Sequence, residues 1–152
     1  MTKYLLTVVA AGLVLSTSLA ADKDDAKKDQ EALQGAWRAE SSERGGKAQG
    51  EAAKEHLLVF EKDTFTIKRG DQVLLRGTFK LDPTKKPKAI DMTVTEGRGD
   101  DDKGKEVHGI YELTKDGLRW CTSEPGNADR PKEFTTKEGS KDLLVTLKKE
   151  KK

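Results

Sequence analysis

The chain has 152 residues, a formal net charge of +2, 37% charged residues, 34% hydrophobic residues and one cysteine. A balance so near neutral gives no electrostatic reason to expect a nucleic acid or an anionic membrane surface as partner. A single cysteine excludes an internal disulfide, so stability has to come from a packed core, and the length suits one domain.

The chain opens MTKYLLTVVAAGLVLSTSLA. Lys3 supplies a positive start, Tyr4 to Val14 an apolar run, and Ser18-Leu19-Ala20 small residues at the −3 and −1 positions of a cleavage site. That order reads as a secretory signal peptide over residues 1–20, too short and wrongly flanked for a membrane-spanning helix. No cysteine follows the apolar run, so lipoprotein attachment is not expected. No later segment is apolar for long enough to cross a membrane. The expected location is secreted or periplasmic. Removing 20 of the 152 residues leaves 132 and takes away Lys3, lowering the net charge from +2 to +1.

Residues 21–32 carry charge without an apolar face and read as a flexible charged lead, with at most a short helical turn over Asp29 to Leu33. From there the period changes to two. Leu33, Gly35, Trp37 and Ala39 share one parity, SSERGGKAQG reads as loop, and EAAKEH as at most one helical turn. From Leu57 short alternating runs repeat with turn signals between them: LLVFE, TFTIKR, QVLLRGTFKL, KAIDMTV, VHGIYEL, LRWCTS and DLLVTLKK. With the Trp37 segment these make eight strands, most of them joined by hairpin-length turns, so sequence neighbours pair in the sheet. The domain spans residues 33–149, and 150–152 form a basic tail.

One parity is apolar throughout: Trp37, Leu58, Phe60, Phe65, Ile67, Val73, Leu75, Phe79, Leu81, Ile90, Met92, Val94, Tyr111, Leu113, Leu118, Trp120, Val145 and Leu147. The other carries Thr66, Lys68, Arg76, Thr78, Lys80, Asp91, Thr93, Glu112, Arg119 and Thr146. One face in and one face out over eight antiparallel strands predicts an all-β fold, a closed barrel or a two-sheet sandwich. The barrel is favoured because an antiparallel meander closes without the long crossovers that a Greek key needs. The four lysines of RGTFKLDPTKKPKAI, Lys80, Lys85, Lys86 and Lys88, fall on the outward parity or in the turn, where they stay solvated and discourage edge pairing.

Catalytic and metal motifs are scarce. His56 and His108 lack a second histidine or cysteine at ligand spacing, so no zinc site and no cofactor are expected. Asp100, Asp102 and Gly104 have the rhythm of a calcium loop, but the twelfth position, where a helix–loop–helix site needs Glu, is Tyr111. Arg98-Gly99-Asp100 is an adhesion tripeptide of the kind that occurs by chance. Cys121 reads as a small buried thiol. No Gly-x-Ser-x-Gly, phosphate loop or dinucleotide fingerprint occurs, so a non-catalytic protein is expected.

Gly35-Ala36-Trp37 resembles the Gly-x-Trp of a lipocalin's first strand. The run VFEKDTFTIKRGDQVLLRGTFKLDPTKKPKAIDMTVTEG, followed by GIYEL, LRWC and PGNADRPKEF, is similar to a paralogous family of small secreted proteins known mainly from planctomycete bacteria. The resemblance covers roughly Leu33 to Lys148. It implies an exported lipocalin-like barrel, with no established activity for the family. Lipocalins plug one barrel end with that tryptophan and often stack a late-strand arginine on it, where this chain offers Lys148 and Lys149. Three functions are open, the third being a hydrolase or isomerase in the barrel mouth, which needs His108 or an acid pair facing inward. In the first, a small, partly apolar ligand sits in the barrel, bound by Phe79, Met92, Tyr111 and Trp120, with Tyr111 donating a hydrogen bond. In the second, the barrel is filled and the loops RGDDDKGK and EPGNADRP, with the basic tail, dock a protein partner in the envelope or outside the cell as an inhibitor or adaptor.

Overall fold

A computed structural model describes residues 18–151, with side chains from residue 23 onward. The apolar run of the expected signal peptide lies outside the described residues. In chain order the elements are α1 (Ser18–Leu33), β1 (Gly35–Arg44), β2 (Lys47–Ala48), β3 (His56–Glu61), β4 (Thr64–Arg69), β5 (Gln72–Asp82), β6 (Ala89–Glu96), β7 (Glu106–Leu113), β8 (Gly117–Thr122) and β9 (Leu143–Lys149). No helix among the described residues is long and apolar enough to cross a membrane.

All strand pairs are antiparallel; from β3 to β9 sequence neighbours pair, and β1 pairs with β2, β3 and β9. Eight strands thereby close an all-β, lipocalin-like barrel, with the two-residue β2 as an addition at its edge. β1 manages two partners by dividing its length. Gly35–Arg38 pairs with β3, while Trp37–Arg44 pairs with β9 through a register shift between Ala39 and Ser41 that leaves Glu40 as a bulge. The polar stretch after Ala39, expected as loop, is strand because β9 supplies its ladder from Ser41 to Arg44.

In this topology the starts of β1, β4, β6 and β8 and the ends of β3, β5, β7 and β9 share one end of the barrel. The large side chains collect there. Leu33, Trp37, Phe60, Phe65, Phe79, Tyr111 and Leu118 are all buried. Phe60 and Phe79 meet edge to face with centroids 5.0 Å apart. The Trp37 indole N–H donates to the Leu33 carbonyl at 2.7 Å, and Lys149 Nζ stands 5.2 Å from the ring centroid.

Residues 21–32 are helical rather than a flexible lead. What holds α1 is polar and distant in sequence. The Tyr111 hydroxyl donates to Asp29 Oδ2 at 2.6 Å, and Lys88 Nζ reaches the same oxygen at 2.8 Å. Gln34 Oε1 accepts from the Lys62 N–H at 2.6 Å, while Gln30 and Gln34 donate to the Lys62 carbonyl. Lys149 Nζ donates to the Ala32 carbonyl at 3.0 Å. Lys88 is therefore a clamp on α1 and only half solvated, whereas Lys80, Lys85 and Lys86 are exposed as expected.

Every side chain expected inward packs in or against the core except Val73. A register shift between Ile67 and Lys68 pairs Ile67 with Leu75 but Lys68 with Val73, which moves Val73 to the outward parity and leaves Leu74 buried in its place. The Tyr111–Asp29 contact offers a direct test of how α1 is held. Tyr111→Phe should lower stability by about 1.5–3 kcal/mol, the worth of a hydrogen bond to a charged group. Urea denaturation measures it, and an unchanged midpoint would contradict the polar docking of the helix.

Candidate ligand cavity

At the other barrel end the side chains are smaller, and space remains. A cavity of about 690 Å³ opens there between the ends of β1, β4, β6 and β8 and the starts of β3, β5, β7 and β9. Its walls are apolar, from Ala39, Leu58, Ile67, Leu75, Met92, Val107, Trp120, Val145 and Leu147. The 3-10 turn Gly50–Glu55 covers one side of the mouth through Ala52 and the buried Ala53. The rim is polar and carries Ser42, Arg44, Gln49, His56, Arg69, Arg98, Asp102, Lys105, Thr122, Ser123, Glu124 and Lys141.

Trp120 is the most informative side chain in the wall. It is 4% exposed, pairs across the sheet with Tyr111 and Val145, and approaches Phe60 edge to face at 6.5 Å. Its indole N–H finds no acceptor among the described residues. A buried donor left unpaired costs about 1–3 kcal/mol, a cost that the packing around Trp120 has to offset.

Of the four residues expected to bind ligand, the structure brings two together at the cavity. Met92 and Trp120 line it. Phe79 and Tyr111 lie at the closed end, Phe79 against Phe60 and Tyr111 with its hydroxyl committed to Asp29. Burial, then that carboxylate, pushes the Tyr111 phenol well above its usual range, so it remains a donor. The rim cations and the polar tip of β1 were missed because alternation marks strand faces and carries no signal for residues around a barrel mouth.

His108 stands on the outer face, as its parity implied, and belongs to a second cluster. Asp91 Oδ1 accepts from His108 Nδ1 at 2.7 Å and from Arg130 Nη2 at 2.6 Å. The other Arg130 terminal nitrogen, Nη1, donates to the carbonyls of Gly109 at 2.7 Å and Ile90 at 3.1 Å. Burial alone would raise Asp91, but the bonds from His108 and Arg130 outweigh it and hold the carboxyl below its ordinary 3.8. Arg130 thus fastens residues 123–142 as a strap across the outer side of the barrel. Beneath it lie the buried Ala89, Ile110 and Cys121, cross-strand neighbours on one face. Burial, then nearby Asp142, pushes the Cys121 thiol up to about 11, leaving it protonated and inert. Farther along, the Thr136 N–H and hydroxyl donate to Glu43 Oε1, tying the strap to β1. The strap ends deliver Glu124, Pro125 and Lys141 to the cavity mouth.

No family model, curated protein or solved structure matches this chain.

Because the folded-state value of Asp91 is depressed, its stabilisation is present above the ordinary 3.8 and is lost as pH falls through the lower folded value. Asp91→Asn should therefore lower the urea midpoint at pH 7, and the gap to the parent protein should close as the pH is taken below 3.8. A gap that persists undiminished in acid would show that the strap is held by something other than this ion cluster.

Proposed function

We propose that this chain is an exported, non-catalytic, lipocalin-like carrier that holds a small, partly apolar ligand in its open-ended cavity. The observation that carries this reading is a cavity of about 690 Å³ with apolar walls at one end of the closed barrel, with Met92 and Trp120 among the residues that line it. The volume falls within the roughly 300–1,000 Å³ of ordinary small-molecule sites. An apolar body in this space removes the walls from water. Met92 and Trp120 form the contact surface, and Phe79 and Tyr111 support it from the closed end.

Export rests on the leader at residues 1–20, and kinship with the planctomycete family of small secreted proteins rests on the stretches that resemble it. A filled barrel acting through its loops as an inhibitor or adaptor is the competing reading, and the cavity at the open end of the barrel weighs against it. A hydrolase or isomerase in the mouth needs His108 or an acid pair inside, but His108 lies outside against Asp91, and the rim carboxylates Asp102 and Glu124 are paired with Lys105 and Lys141.

Native mass spectrometry of the protein, exported and purified gently from its own host, should show a bound mass of a few hundred daltons that denaturation removes. The neutral apolar dye N-phenyl-1-naphthylamine should brighten on binding the emptied protein. A bare mass together with a dark dye would overturn the carrier reading.

A further inference from the structure

The rim of the cavity has a charge sign. Five cationic side chains line the mouth, Arg44, Arg69, Arg98, Lys105 and Lys141, against two carboxylates, Asp102 and Glu124. The neutralisation is uneven. Arg69 is paired with Glu55 at 2.6 Å, Lys141 with Glu124 at 3.1 Å, and Lys105 with Asp102 at a loose 3.9 Å. Arg44 donates only to the Lys141 carbonyl, at 3.3 Å, and Arg98 has no ion-pair or hydrogen-bond partner among the described residues. Arg44 ends β1 and Arg98 follows β6, so the two uncompensated guanidinia flank the mouth from different sides of the ring. A cleft with low-dielectric walls and one sign of charge at its opening focuses the field and concentrates the opposite ion.

An inorganic anion would meet the rim but leave the apolar walls wet. A neutral hydrocarbon would fill the walls but leave the arginines with water alone. Only a molecule with both features uses the whole site. Guanidinium groups match the planar, two-oxygen geometry of carboxylate and phosphate. Building on the carrier reading, we infer that the cavity is selective for an amphiphilic anion, its apolar body inside and its carboxylate or phosphate head at a rim arginine, Arg44 or Arg98.

Competition against bound N-phenyl-1-naphthylamine tests this with decanoate, decyl phosphate and decanol, which share one chain and differ in the head. Both anions should displace the dye at concentrations about tenfold below decanol, the worth of one charge-assisted hydrogen bond. Added salt should narrow that gap, because the rim is open to solvent. In the Arg44→Gln/Arg98→Gln double variant the anions should fall to within about twofold of decanol, with decanol itself and the urea midpoint unchanged. Whichever of decanoate and decyl phosphate competes better identifies the head group. Equal competition by all three would overturn anion selection while leaving the cavity as a binding site. A gap that survives in the double variant would overturn its assignment to this rim. A protein that never binds the dye would remove the carrier reading and this inference together.

Discussion

The structure depends on the pairing of β1 with β9. Without it the strands would form an open sheet with two edges and one large apolar face in water. With it the apolar face is enclosed and no long edge remains to recruit another chain. β1 can serve both neighbours because its bulge at Glu40 bends it, so the first half faces β3 while the ladder to β9 continues to Arg44. The same bend carries Trp37 into the closed end and Arg44 out to the open mouth.

Closure creates two unequal ends. At one, aromatic side chains fill the lumen, each contributing about 1.5–3 kcal/mol by burial, and α1 seals the base through Asp29, Gln30 and Gln34. At the other, smaller side chains leave space, and the mouth is framed by the 3-10 turn, the loop after β6 and the ends of the strap. The packed end supplies the stability that lets the open end keep a cavity and an unsatisfied indole. The outer strap adds a second small core over Cys121, held by Arg130 at one point and by the Thr136 bonds to Glu43 at another.

Most of the barrel was legible in the chain. Alternation located the strands, because a half-buried antiparallel sheet imposes a period of two on its sequence. All but one of the residues it placed inward pack in or against the core, although Val107 and Leu143 were not among them. Val73 escaped because a bulge resets the period, and no residue type announces one. The helix over residues 21–32 escaped because its anchors are polar and its partners, Lys62, Lys88 and Tyr111, lie far along the chain. Parity also says whether a side chain points inward but not how far along the barrel axis it sits. Phe79 and Met92 share that parity, and even pair across the sheet, yet only Met92 lines the cavity. The height of a residue along the axis depends on strand stagger, which short-range pattern does not encode.

The two tryptophans divide between the two ends, and that division gives the most direct test. Protein labelled with 5-fluorotryptophan should show two fluorine resonances, one from Trp37 in the plug and one from Trp120 in the cavity wall. Titration with N-phenyl-1-naphthylamine, assigned through Trp37→Phe and Trp120→Phe, should move the Trp120 resonance and leave Trp37 in place. Two stationary resonances at saturating dye, or a Trp37 shift as large as that of Trp120, would contradict a barrel plugged at one end and open to ligand at the other.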